Sequence, residues 1–269
     1  MSFDALESSI ADGKPLRLYL FEHGTRQWRY TSAGKDVVAD QVNWESIYIK
    51  DDGNRQTGEA SADAMNIDVP LTFPVLEKFR IYPSSRRVSL TVFNLHQGDG
   101  DLRATWVGTI SDVKRRRVDA RLICTSIADE LASTGLKLPW TRNCPHTIYD
   151  HNCKLKPGDF RVLITVASMD GITLTAAELA TKPDGWFSGG YIEWEAEDGV
   201  IEERGIDIHV GNQVTLMGST AGITLGQVLK AHAGCECTKQ ACLDKGNYDN
   251  YGGAPGLPGQ SPFDGQPIF

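Results

Sequence analysis

Ile206-Asp207-Ile208-His209-Val210-Gly211-Asn212-Gln213-Val214-Thr215-Leu216 reads as a β-hairpin. Ile206, Ile208 and Val210 alternate with polar residues, and Val214 and Leu216 alternate on the return. Period-two alternation marks a half-buried strand, and a Gly-Asn pair supplies the backbone angles of a tight hairpin turn. The pattern extends outward. Arg161 to Val166, Tyr191 to Trp194 and Gln213 to Met217 read as strands, punctuated by Gly189-Gly190, Asp198-Gly199 and Gly211-Asn212. Residues 161–230 are therefore expected to form a small β-domain.

Residues 15 to about 125 carry the same signal. Leu16, Leu18 and Leu20 alternate with Arg17 and Tyr19, and Trp28 and Tyr30 follow the turn His23-Gly24-Thr25. Val88, Leu90 and Val92 alternate with Ser89 and Thr91. Trp106 to Ile110 leads to Lys114-Arg115-Arg116-Arg117, and Val118 and Ala120 to Cys124 return. Asp51 to Asn54 is expected to be a loop, and Pro70 and Pro74 to bound an edge strand near Leu71. Ser126 is placed to cap a short helix over Ile127 to Ala132, with Gly135 near its end and the segment closing at Leu138-Pro139-Trp140. The expected class is mainly β: an antiparallel barrel or sandwich over 1–140, an inserted small β-domain over 161–230, and a loop-rich cysteine region split between 141–160 and 231–269. The Gly- and Pro-rich residues 246–267 are expected to form an extended C-terminal tail, either disordered or packed on a neighbouring subunit through Tyr248, Tyr251, Leu257, Phe263 and Phe269.

Composition narrows the function. The net charge of −8 argues against a general nucleic-acid binder, and the basic run at Lys114–Arg117 is expected to be a solvated hairpin turn. The first residues lack the apolar run of a secretory signal, and no stretch approaches the ~18 apolar residues of a membrane span, so folding in a reducing cytoplasm is expected. Six cysteines there favour metal binding or free thiols over structural disulfides.

Five of the six cysteines fall after residue 140. Cys144 and Cys153 bracket CPHTIYDHNC; Cys235 and Cys242 bracket CECTKQAC, with Cys237 between them. Structural zinc sites usually pair cysteines across two to four residues, so these spacings suit zinc poorly. An iron–sulfur cluster accepts ligands from separate loops, and unligated thiols are the competing reading. His146 and His151 are candidates to complete a Cys/His zinc site. Cys237 is an alternative to Cys235. Cys124, within Leu122-Ile123-Cys124, reads as a small buried apolar residue.

WTRNCPHTIYDHNC, residues 140–153, resembles the first cysteine motif of a phage tail-tip hub family related to the lambda-type minor tail protein L and to gene transfer agent hub proteins. Ala233-Gly234-Cys235, Cys242, Asn247, Tyr251-Gly252-Gly253, Pro255 and Pro258-Gly259 resemble its second motif. Leu18 to Glu22, Trp28 to Ser32 and Trp106 to Gly108 resemble its N-terminal half, and Gly185 to Trp194 its inserted domain. Two positions depart from the pattern: Glu236 replaces an aspartate, and Lys154 replaces a glycine.

The resemblance implies a bacteriophage virion protein, a minor tail protein of the tail tip or baseplate hub. It implies a homotrimeric ring that continues the tail tube and contacts a distal tail protein and a central tip protein. DNA would pass the lumen without specific binding, and no membrane insertion is implied. Assembly in the host cytoplasm follows. The implied cofactor is a structural [4Fe-4S] cluster on Cys144, Cys153, Cys235 and Cys242. It would join the ends of the inserted domain much as a disulfide would. A zinc-stabilised binding module and a tail-associated hydrolase are the competing classes. No nucleotide, zinc-protease or nucleophile-elbow motif supports an enzyme, and Gly218-Ser219-Thr220-Ala221-Gly222 carries Thr where an elbow needs Ser.

Overall fold

The computed structural model describes residues 8–9, 15–54, 63–80, 84–96, 101–132, 135, 140–196 and 199–257. The expectations for residues 136–139, Asp198 and 258–269, Phe263 and Phe269 among them, lie outside the described residues. The fold is mainly β, with two sheets, one curled into a half-barrel. The chain divides into two compact units: Met1–Thr134 with Glu197–Val200, and Gly135–Ala196 with Ile201–Phe269.

The first unit contains β1 (Pro15–His23), β2 (Arg26–Thr31), β3 (Val37–Ala39), β4 (Val42–Ser46), β5 (Lys50–Asp51), β6 (Met65–Pro70), β7 (Ser89–His96), β8 (Arg103–Arg115) and β9 (Asp119–Ser126). They form one sheet in the order β3-β4-β2-β1-β7-β8-β9-β6-β5. Adjacent strands are antiparallel except β2 and β4, which pair in parallel.

The alternation in β1 is real, but the main core takes the face opposite to the leucines. Tyr19 and Phe21 pack with Trp28, Tyr30, Ile67, Phe73 and Leu90, whereas Leu18 joins a smaller cluster with Trp44 and Leu95. Phe21 meets Phe73 edge-on at 5.2 Å, and Phe73 meets Tyr30 at 5.0 Å. Such rings each bury enough surface to contribute about 1.5–3 kcal/mol. Tyr19 can sit inside because its hydroxyl donates to Asp51, which also pairs with Arg17. Burial foremost, with the adjacent Asp51 carboxylate, raises the Tyr19 phenol. Asp51 thus lies in a short strand and anchors a polar network, although its sequence suggested a loop.

The proline-bounded segment differs from expectation too. Pro70 ends β6, Leu71 lies exposed in a turn, and Pro74–Phe79 is a 3-10 helix that buries Val75 and Leu76. Proline at the first turn of a helix costs no hydrogen bond, because that N–H has no intrahelical partner. The basic run closes the β8–β9 hairpin on the surface. Even so, Arg115 donates to the carbonyls of Leu76 and Phe79, and Arg116 faces Asp68 and Asp119. Helix α1 (Ile127–Ala132) starts as expected, with Ser126 Oγ accepting from the Ala128 amide at 3.2 Å.

The second unit holds β10 (Arg161–Thr165), β11 (Ser168–Asp170), β12 (Thr173–Thr175), β13 (Tyr191–Glu195), β14 (Ile201–Val210), β15 (Gln213–Leu216) and β16 (Val228–His232). Their order is β10-β16-β13-β14-β15-β12-β11, all antiparallel. The 206–216 hairpin is β14–β15, with a register shift between Ile206 and Ile208. Its core gathers Ile164, Leu174, Phe187, Ile192, Trp194, Ile206, Val214 and Leu229. Sequence reading missed β11, β12 and β16, and β16 is the strand that delivers the second cysteine motif.

Gly189-Gly190 is not a simple turn. A Cβ on Gly190 would sit 2.1 Å from the His232 carbonyl oxygen, and one on Gly234 would sit 1.7 Å from that of Ser188. The segment before β13 and the end of β16 therefore touch backbone to backbone. Gly190→Ala is expected to destabilise the protein by about 1–3 kcal/mol or more, because neither partner is a side chain that can swing away. Gly158→Ala, where a Cβ meets nothing within 4 Å, should stay within about 0.5 kcal/mol. Urea denaturation of both variants checks the contrast.

Candidate functional site

Strand β16 runs directly into Ala233-Gly234-Cys235, and β10 starts shortly after Cys153. Their pairing, Arg161 opposite His232, brings the two motifs to one end of the sheet. Tyr149, inside the first motif, donates its hydroxyl to the Ala233 carbonyl at 2.8 Å. Its ring meets Tyr191 and His232 edge-on, and those two stack at 4.4 Å with 12° between planes. His232 is buried, and Nδ1 lies 3.2 Å from the Pro157 carbonyl oxygen. Burial lowers its basicity, against the pull of that carbonyl and of Glu193. A neutral ring is the form that stacks inside the protein without a desolvated charge.

The first cysteine loop is folded around Asp150. Its carboxylate accepts from the amides of Thr147 at 3.0 Å, Asn152 at 2.9 Å and Cys153 at 2.6 Å. Burial alone would raise this carboxyl. The three amide bonds and nearby His146 outweigh it and hold the group below its ordinary range. Tyr149 and Lys154 adopt left-handed φ angles of 68° and 58°. Lys154 stands where the resembled motif has glycine, and its backbone is the kind glycine takes without strain.

The second motif is built by a capped helix. Thr238 Oγ1 accepts from the Ala241 amide at 3.1 Å and starts α2 (Lys239–Asp244), which buries Cys242. The Cys242 thiol donates to the Asn247 carbonyl at 3.1 Å. The Asn247 side-chain amide donates to the Cys153 carbonyl at 2.6 Å and lies 3.6 Å from Cys153 Sγ. The Gly252 amide points at Cys144 Sγ from 3.5 Å, and the Cys237 amide at Cys235 Sγ from 3.4 Å. Gly252 packs so closely on His146 that an added Cβ would lie 2.1 Å from Nε2.

Between Cys242 and Leu257 the chain is tied back to the start of the first cysteine motif. Tyr251 donates to the Arg142 carbonyl, Ala254 to the Thr141 carbonyl, and Arg142 to the Leu257 carbonyl. The tyrosines expected to anchor a tail stack on each other at 5.9 Å.

Five thiols share this end of the unit. Burial first, then the neighbouring Cys144, Cys235 and Cys153, raise the Cys242 thiol. Burial also pushes Cys237 up to about 11, with Cys235, Cys144 and Cys153 adding to it. Of the four residues singled out from spacing and resemblance, Cys144, Cys153 and Cys235 thus all lie near enough to act on the fourth, Cys242. Three of their sulfurs, those of Cys144, Cys153 and Cys235, face N–H groups. Cys124 lies apart, fully buried in the core of the first unit, where desolvation pushes its thiol up to about 12.

Among the described residues, no group of three or more His, Cys, Asp or Glu side chains is drawn together tightly enough to hold a single metal ion. One zinc ion would hold four sulfurs about 3.8 Å apart. His146 is covered by Gly252 with Nδ1 buried, and His151 is exposed. In the Ser219-Thr220 loop, the Thr220 hydroxyl donates to the Gly171 carbonyl and Ser219 Oγ accepts from the Ala221 amide. Both groups are engaged in turn structure.

Sequence reading missed the Tyr149–Tyr191–His232 stack and a cleft of about 260 Å³ beside Cys235. Trp186, Glu236, Thr238, Asp244 and Lys245 help line it. The ammonium groups of Lys182 and Lys245 approach the Trp186 ring to 5.2 and 4.8 Å. The position of Tyr149 within the first motif was the available signal for the stack; no sequence signal marked the cleft.

A family profile described as "Phage conserved hypothetical protein BR0599" matches residues 185–261, from the Trp186 segment through the second cysteine motif. An uncharacterised protein of Xylella fastidiosa (strain 9a5c) is 23% identical over 185 residues, covering 63% of this chain. That match spans 38% of the relative's own length. A chain in the virion of a native gene transfer agent particle superposes with a TM-score of 0.81 at 16% identity, covering 100% of this chain and 99% of that one. The likeness establishes a shared fold.

Asp150→Ala removes three amide acceptors at once and is expected to destabilise the second unit by about 1–2 kcal/mol near neutral pH. Its carboxyl is depressed in the folded state, so the contribution is complete above about pH 4 and drains away as pH falls through the folded value. Melting temperatures of parent and variant should stay apart above about pH 4 and converge only as the pH is taken lower.

Proposed function

We propose that the chain is a structural protein of a phage or phage-like virion, acting at the tail tip as a hub subunit that carries a structural [4Fe-4S] cluster. The fold shared along its whole length with a gene transfer agent virion chain supports the virion reading, as does the phage family profile over the second motif. The observation that carries the cluster reading is the gathering of Cys144, Cys153, Cys235 and Cys242 from both ends of the inserted β-domain, with N–H groups directed at three of the sulfurs. Hydrogen bonds to sulfur are one of the means by which proteins stabilise such clusters.

These four thiolates would hold the cluster, which when bound supplies iron–thiolate bonds that crosslink the two motifs. Cys235 is favoured over Cys237 as the third ligand. Its sulfur accepts the Cys237 amide, whereas the Cys237 thiol is placed toward the His146 and Cys235 carbonyls at 3.9 and 3.8 Å. The zinc alternative is disfavoured by the histidines, since His146 is covered by Gly252 with Nδ1 buried and His151 is exposed. The role is structural: the crosslink closes a long excursion of chain in a compartment where disulfides are reduced.

The hub reading adds a homotrimeric ring, with a distal tail protein on one side and a central tip protein on the other. An acidic surface, consistent with the net charge of −8, would let DNA pass without sticking. Copy number in assembled particles tests this: three per tail is expected, and six contradicts it.

Anaerobically purified Cys144→Ser, Cys153→Ser, Cys235→Ser and Cys242→Ser should each lose most of a broad visible band near ~400 nm. Cys124→Ser and Cys237→Ser should keep it. Equal loss in Cys237→Ser and retention in Cys235→Ser would reverse the third assignment.

A further inference from the structure

The fifth thiol has no place in a four-ligand set, yet it is held at the junction of the two motifs. The Cys144 amide donates to the Cys237 carbonyl at 2.8 Å. A single backbone bond of that length keeps the two Cα atoms within roughly 5–7 Å of each other, overlapping the ~4.4–6.8 Å range that a disulfide spans. The Cys237 side chain turns toward the same loop, with Sγ 3.9 Å from the His146 carbonyl. Cys237 also holds a left-handed φ of 58°, an unfavourable conformation for a residue with a Cβ. Cys144 and Cys237 are both partly exposed, as is Cys235, which lines an open cleft.

The other thiols lack this contact. Cys153 and Cys242 communicate through Asn247, whose carbonyl accepts from one and whose amide reaches the other. Cys235 and Cys237 are separated by a single residue, so a bridge between them would close a small ring and join nothing distant.

We propose that Cys144 and Cys237 form a disulfide when the metal centre is absent and the protein meets an oxidising environment. The inference uses the cluster reading for the order of events only; the backbone contact stands without it. With a low-molecular-weight disulfide as oxidant, the Cys144 thiolate attacks one sulfur and releases one thiolate, giving a mixed disulfide. The deprotonated Cys237 sulfur then attacks the Cys144 sulfur, forms the Cys144–Cys237 bond and releases the second thiolate. Two thiol protons leave the protein and one small disulfide becomes two small thiols. The product joins the same two motifs that the cluster would join. A particle built in a reducing cytoplasm and released outside it would retain the crosslink after losing iron.

The test uses the full chain, stripped of iron by a chelator and exposed to oxidised glutathione. Intact mass, peptide mapping and melting temperature are read with and without reductant. The expected result is a loss of about 2 Da. A peptide containing Cys144 should be linked to one containing Cys237 in most molecules, and reductant should lower the melting temperature. Cys237→Ala should lack the link and show little reductant dependence, and Cys124→Ala should behave as the parent. A dominant Cys235–Cys237 or Cys153–Cys242 bridge, or an equal bridge yield in Cys237→Ala, overturns the proposal. Free thiols throughout overturn it as well. Iron binding in the untreated protein is measured separately, so failure of the cluster reading is distinguishable from failure of the bridge.

Discussion

The close approach of Gly190 and Gly234 governs the cysteine end of the protein. Each presents bare backbone where a side chain would strike the opposite carbonyl. Their contact sets the exit of β16 against the entry of β13, and so fixes where Cys235 leaves the sheet. From there the Ala233 carbonyl receives Tyr149, and Tyr149 seats the first motif on the Tyr191–His232 stack. The second motif then closes over it through Asn247 and Gly252. The thiols converge because backbone geometry, aromatic packing and two amide contacts agree on one arrangement.

That arrangement contains local strain. Tyr149, Lys154 and Cys237 hold left-handed backbones within or beside the cysteine motifs. Residues with a Cβ adopt such angles at a cost of about 1–3 kcal/mol each, and persist there when their surroundings over-determine them. Asp150, with three amides on one carboxylate, is one such surrounding; the backbone bond between Cys144 and Cys237 is another. A crosslink among the thiols would oppose the same strain from the other side.

Much of this was legible in residue patterns. The 206–216 hairpin declared itself because its alternation and its Gly-Asn turn point the same way. The helix after Ser126 did so through its cap. Strand β16 stayed hidden because Val228 to His232 is short and carries Lys230 and His232, both of which find partners only in the folded sheet. That the main core takes the Tyr19 and Phe21 face of β1 was not legible, because the partner that lets Tyr19 be buried, Asp51, lies more than thirty residues away. Spacing and resemblance singled out four cysteines. Neither revealed that the fifth is tied by its carbonyl to the first, since that contact exists only once the two motifs fold together.

The central claim is that the gathered thiols hold an iron–sulfur cluster as a structural crosslink. Iron and acid-labile sulfide measured on anaerobically purified protein test it most directly. The account predicts about four of each per chain. One equivalent of zinc without sulfide, or neither metal, would contradict it.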